Sequence, residues 1–333
     1  MFFDALRSLA ALAVLYGHAK AIQTGGTAAI WPQQLGVVMF FVLSGYLISQ
    51  TLERRLSNPK ATFADFAIDR WARIYSGFLP ALLLIAGIDY VATMGPYGVN
   101  GETLARYTWE LFFANLFMLQ DPGYFLPFGS AAPFWTVAVE FWIYLFVGQI
   151  AFAVRDGLTA PRVLLILACG VIPVHSAFWN HGIFWPWLLG VAAQQIVSGG
   201  ILRRVPAWLL CLMAALVVLW LAIIIGRGDP VYSAIPYLLC SVAFLFASEA
   251  STRLKAFGRL AIISNWASGW SYSLYLLHHS LLMLIASKIS ASAALWGGIS
   301  GSIAIAIAFA ALTEAHHRQL GALTKRMFGL RRI

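Results

Sequence analysis

The chain has 333 residues, of which 61% are hydrophobic and only 11% charged, with a mean hydropathy of +0.79. Soluble domains carry about a quarter charged residues, so this composition excludes a water-soluble globular class and places the chain among integral membrane proteins. The net charge of +9 would suggest a nucleic-acid partner in a soluble protein, but here Lys and Arg cluster between apolar runs, so the charge reads as topology and no nucleic acid is expected.

A membrane-spanning helix needs about 20 mainly apolar residues. The first such segment, 5–22, has no basic leader or small-residue cleavage site and reads as a permanent span. It carries Arg7 and His18, eleven positions apart. At 3.6 residues per turn they fall within about 20° of one face and roughly 16 Å apart along the axis. Asp4 sits one turn before Arg7 and is placed to pair with it. Ionisable groups inside a span are costly and mark function by default, with snorkelling to the interface as the competing reading for Arg7.

The second predicted span, 35–52, contains "FFVLSGYLIS". Its Ser44 is a candidate nucleophile, with packing of a small-residue pair as the competing reading. A basic loop, "ERRLSNPK", follows. Residues 61–75 alternate at helical spacing and predict an amphipathic interfacial helix leading into the third span, 74–94. Arg70 and Arg73 stand one turn apart there. Two guanidinium groups can grip phosphates bidentately, although positive-inside anchoring with some pairing to Asp69 explains the charge equally well.

Segment 104–120 is shorter and holds Glu110 and Asn115. The fourth span, 133–154, opens with "PFWTVAVEFWIY", in which Thr136, Glu140 and Tyr144 form a polar stripe at i, i+4, i+8. A carboxylate in hydrocarbon is protonated or paired, and a histidine from another span is its natural partner. Such a pair holds an imidazole in one tautomer, as a general base requires. Further spans are predicted at 163–179, 182–198, 206–225 and 232–249. Cys169, Cys211 and Cys240 lie in these apolar runs without CxxC spacing and read as small apolar fillers. Span 267–288 contains "SYSLYLLHHS", with Ser271, Tyr275 and His278 on one face and Tyr272 and His279 on the adjacent one. The last span is 294–313.

Basic clusters test this count. With all of them cytosolic, an even number of spans must separate successive clusters, and only the interval from 73 to 155 breaks the pattern. Segment 104–120 is therefore expected not to cross but to be re-entrant or interfacial. The expected fold is all-α: a polytopic transmembrane bundle of about ten spans in one integral-membrane domain, 1–333, with both termini cytosolic. Neither HExxH nor a GxxxxGK loop occurs, so no metal and no nucleotidase chemistry are expected.

These residues, in this order, resemble the membrane-bound acyltransferase-3 family over most of the chain. Asp4, Leu6, Arg7 and His18 fit its first-span D-x-L-R pattern with a histidine eleven positions on. "RWAR" resembles its R-x-x-R motif, "PFWTVAVEFWIY" its W-S-L-x-x-E segment with Thr136 for serine, "SYSLYLLH" its late-span motif, and "TEAHHRQL" its closing E-x-P-x-x-R segment with His316 for proline. The resemblance implies an acyl-CoA-dependent O-acyltransferase. It would move an acyl group, commonly acetyl from acetyl-CoA, to a hydroxyl of a carbohydrate or glycan acceptor. The expected roles are His18 as general base oriented by Glu140, Arg7, Arg70 and Arg73 on the coenzyme phosphates, and Thr136, Tyr144, Ser271, Tyr275 and His278 toward the substrates. Partners would be acyl-CoA, a glycan and membrane lipids, with a homo-oligomer compatible, and the location a bacterial inner membrane. The alternative is a proton-coupled transporter or polysaccharide carrier using the same polar funnel.

Overall fold

The computed structural model describes residues 1–26, 30–94, 101–121, 123–254, 258–286 and 291–329. Among them there is no strand. The helices are α1 (Phe2–Gln23), α2 (Trp31–Leu56), α3 (Phe63–Met94), α4 (Gly101–Ala105), α5 (Trp109–Leu116), α6 (Phe134–Asp156), α7 (Ala160–Phe178), α8 (Phe184–Ser198), α9 (Ala207–Gly226), α10 (Ala234–Ser251), α11 (Gly258–Ser268), α12 (Ser271–Ala286) and α13 (Ala291–Leu312). A 3₁₀ turn, Glu314–His316, then leads into α14 (His317–Met327). Of the basic residues used to judge topology, Lys255, Arg331 and Arg332 lie outside the described residues.

Each predicted span overlaps a helix, α1, α2, α3, α6, α7, α8, α9, α10, α12 and α13 in turn, with residues 287–288 of the span at 267–288 outside the described residues. Among the described residues, seven stretches are long and apolar enough to cross a membrane by length and composition. The stretches missing from that set have plain reasons. Helix α1 carries Asp4, Arg7 and Lys20, while α8 and α12 have only 15 and 16 residues. Segment 104–120 is broken into the end of α4 and the eight-residue α5. Eight residues rise only about 12 Å, against a hydrocarbon core of about 30 Å.

The expected interfacial helix at 61–75 is not a separate element. Helix α3 runs 32 residues without interruption, taking both the interfacial and the spanning stretch. The reason lies in what covers its polar face. Lys325 of α14 reaches Asp69 at 2.8 Å and Asp65 at 3.8 Å, and Arg55 of α2 also pairs with Asp69. Helices α2 and α14 thus supply the cations that face these carboxylates.

Helix α2 is the hub, packed against α1, α6, α8 and α10. Its seam with α8 is tight because both helices offer glycine. A Cβ on Gly45 would lie 1.9 Å from the Trp187 carbonyl oxygen, and one on Gly190 would lie 2.1 Å from that of Val42. Backbones in lipid gain their contact energy through such small residues. At the opposite end, two buried carboxylates pin the 101–133 segment. Asp89 accepts from the Ser130 amide at 2.8 Å and its hydroxyl at 2.7 Å. Asp121 holds His175 at 3.0 Å and the Asn180 amide at 2.8 Å.

Candidate active site

Helices α1, α2, α3, α6 and α12 meet around a cavity of about 160 Å³ whose wall mixes apolar residues of α2 with polar and charged ones. Eight predicted site residues line it: Arg7 from α1, Arg70 and Arg73 from α3, Thr136, Glu140 and Tyr144 from α6, and Ser271 and Tyr275 from α12. His18 and His278 do not. Helical spacing marked Thr136, Glu140 and Tyr144, and likewise Ser271 and Tyr275, as polar stripes, and packing of the helices brings them together with the three arginines.

The charges in the cavity are unevenly satisfied. Arg73 donates to the Glu314 carboxylate at 3.0 Å, and its guanidinium lies 5.7 Å from the centre of the Tyr272 ring. Arg7 and Arg70 form no ion pair and no hydrogen bond among the described residues. Arg70 Nε is buried without any acceptor. Asp4 and Asp69, the carboxylates expected beside these arginines, are engaged elsewhere. Asp4 pairs with the Met1 amino group at 3.0 Å, and Asp69 with Arg55 and Lys325. Leaving one partner of a charge pair missing in a buried site costs several kcal/mol. Glu140 is the carboxylate that shares the cavity with these arginines.

Glu140 is not bonded to His18. Its carboxylate accepts from the Tyr144 hydroxyl one turn on. The Ser44 and Tyr144 oxygens are 2.9 Å apart, and the Trp187 indole N–H donates to Ser44 Oγ at 3.2 Å. An indole only donates and a carboxylate only accepts, so the chain has one direction, Trp187 to Ser44 to Tyr144 to Glu140. The Ser44 proton thus lies on the tyrosine oxygen rather than against a base, and its neighbour Gly45 makes the helix contact described above. Both facts favour the packing role over a nucleophile.

Beyond the cavity wall lies a histidine cluster. Tyr275 donates to Thr136 Oγ1 at 2.5 Å, and Thr136 in turn donates to the Pro133 carbonyl at 2.9 Å. One turn past Tyr275, the His278 ring sits with its centre 5.9 Å away. His278 Nε2 is 3.2 Å from His18 Nδ1, and His279 stands edge-on to His18 at 5.3 Å between ring centres. The pairing partner of His18 is thus another histidine. No group of three His, Cys, Asp or Glu among the described residues is placed to hold a metal.

Glu314 had no assigned role in the sequence reading, although it opens the closing motif. It is 3% exposed and accepts from the Ser273 amide at 2.7 Å and the Ser273 hydroxyl at 2.5 Å, besides Arg73. It therefore ties the first turn of α12 to α3. A glutamate two positions after a long apolar run was the available signal.

A family model described as an acyltransferase domain matches residues 2–314. A Bacillus subtilis protein, YrhL, provisionally assigned as a peptidoglycan O-acetyltransferase, is 31% identical over 186 residues, which is 51% of this chain and 27% of its own. The peptidoglycan O-acetyltransferase OatA of Listeria monocytogenes is 26% identical over 55% of this chain and 29% of its own. An O-acetyl transferase of Shigella phage Sf6 is 26% identical over 49% of this chain and 50% of its own. The matches thus span half or less of these relatives' lengths. No solved structure matches the chain.

Proposed function

The chain belongs to the acyltransferase-3 family, and on that premise we propose that it moves an acyl group, acetyl in the first instance, from cytosolic acyl-CoA to a hydroxyl of a glycan acceptor. The observation that carries this reading is the pair of unpartnered guanidiniums, Arg7 and Arg70, in a cavity one helical turn from the His18–His278 cluster. Unpaired buried cations call for a phosphate-bearing ligand, and a histidine beyond them supplies a base where the thioester end arrives.

In this reading Arg7, Arg70 and Arg73 hold the coenzyme phosphates at the cytosolic mouth. At about 160 Å³ the cavity takes part of the donor and not the whole coenzyme. His18 removes the acceptor hydroxyl proton. The acceptor oxygen bonds to the acyl carbon, the carbon–sulfur bond breaks, and the proton passes from His18 to the departing thiolate. Thr136, Tyr144, Ser271 and Tyr275 face the reacting groups, and Glu140 balances part of the positive charge while Tyr144 holds its carboxylate. The chain acts as one integral-membrane domain crossing about ten times, with both ends in the cytosol of a bacterial cell. The acceptor is a glycan, as the word peptidoglycan in two of the relatives' names suggests for those proteins.

Replacing Arg70 by alanine tests the donor assignment. Hydrogen bonds to charged groups contribute about 1.5–3 kcal/mol, so KM for acetyl-CoA should rise about 10- to 100-fold. A short acetyl thioester of pantetheine, which lacks the phosphates, should be used equally well by the variant and the parent. An unchanged KM for acetyl-CoA contradicts the assignment.

A further inference from the structure

We infer that His278, rather than Glu140, fixes the tautomer of His18 and receives part of its positive charge during turnover; the inference rests on the reading of His18 as the base. His278 Nδ1 lies 2.9 Å from the Tyr275 carbonyl oxygen and 3.1 Å from that of Leu274. Carbonyl oxygens only accept, so this nitrogen carries a proton. In the neutral ring Nε2 is then a lone pair. That lone pair faces His18 Nδ1 at 3.2 Å.

His18 Nδ1 also lies 3.0 Å from the Val14 carbonyl oxygen. It therefore carries a proton as well, shared between Val14 and His278. The opposite arrangement would place a second proton on His278, making a buried imidazolium in a residue that is 0% exposed, and would set two lone pairs against each other at Val14. With Nδ1 protonated, His18 Nε2 is the unprotonated nitrogen. His18 is thus held as a base whose free lone pair is on the far side of the ring from its partner.

His278 does here what a carboxylate does behind the histidine of a Ser–His–Asp triad, with a neutral acceptor in place of the charge. When Nε2 takes the acceptor proton, the Nδ1–H of His18 strengthens its bond to His278 Nε2 and the positive charge spreads over two rings. When Nε2 gives that proton to the thiolate, the pair returns to its starting state, and no proton is gained or lost. His279 stands edge-on to His18, and its own Nδ1 faces the Ser130 carbonyl at 2.8 Å. His278 is a positioning residue: it touches the base and not the substrate.

Two measurements test the inference. In full-length protein labelled with ¹⁵N-histidine and held in lipid nanodiscs, His18 should show its proton on Nδ1 and a pyridine-type Nε2. A proton on Nε2 overturns the inference, and this result stands whether or not the protein transfers acyl groups. In the transfer assay, His278→Leu removes the acceptor, and His278→Gln offers an amide oxygen in its place. The leucine variant should lose at least about tenfold in kcat, with KM for acetyl-CoA unchanged, and glutamine should recover part of the loss. Parental turnover in His278→Leu, or equal losses in both variants, overturns the inference. Absence of transfer by the parent chain defeats the proposed function and leaves the tautomer measurement to judge the pair.

Discussion

His18→Ala is expected to lower acyl transfer by about 10²- to 10⁴-fold, the usual contribution of a positioned general base. The loss should fall on kcat, because the imidazole lies outside the arginine-lined cavity and has no part in holding the donor's phosphates. Stability should change little. The variant removes one hydrogen bond to His278 Nε2 and one to the Val14 carbonyl, and Val14 remains in its helix. A net cost of about 1 kcal/mol is expected from leaving the His278 Nε2 acceptor without its donor. The check is an initial-rate assay on purified protein, with the thermal midpoint measured in the same detergent. Transfer at the parental rate by a folded His18→Ala variant contradicts the general-base role.

Glu314→Ala should be the most destabilising single change at the site. The carboxylate is buried and satisfies three donors on two helices: the Ser273 amide, the Ser273 hydroxyl and Arg73. Ser273 lies in the first turn of α12, where backbone N–H groups have no partner within the helix and a negative charge is favoured. Truncation to alanine strands that amide and leaves Arg73 without its counter-ion. The stranded amide costs about 1–3 kcal/mol, and the loss of a pair whose arginine is 31% exposed adds less than a fully buried pair would. Glu314→Gln keeps an oxygen for the Ser273 amide and loses only the charge, so it should be intermediate. Both variants should also lose activity, because α12 carries Tyr275 and His278 while α3 carries Arg70 and Arg73. Thermal unfolding followed by tryptophan fluorescence checks the order parent, glutamine, alanine. An alanine variant with the parental midpoint contradicts it.

Much of the architecture is legible in the residues alone, for a physical reason. In lipid every backbone polar group must be satisfied within a helix, so apolar run length gives the helices almost directly. The inward faces are legible too, since Thr136, Glu140 and Tyr144, or Ser271 and Tyr275, stand out as polar stripes on apolar helices. What a side chain meets across a helix interface is not encoded in periodicity. The expectation that Glu140 meets His18 assumed that a buried carboxylate seeks an imidazole. Tyr144, already in the same stripe one turn away, satisfies it locally. His278 was on a predicted inward face, yet its contact with His18 depends on how α12 packs against α1. Likewise, the polar face at 61–75 read as interfacial because α14, which covers it, lies some 250 positions later in the chain.

The central claim is covalent transfer rather than carriage, and acetyl-CoA labelled in the acetyl group tests it most directly. The parent protein is reconstituted in liposomes with labelled donor on the cytosolic side and a glycan acceptor supplied. The account predicts label bound covalently to glycan hydroxyls, free coenzyme thiol released in equal amount, and neither product with His18→Ala. Movement of glycan across the bilayer with all label remaining on the coenzyme would contradict it.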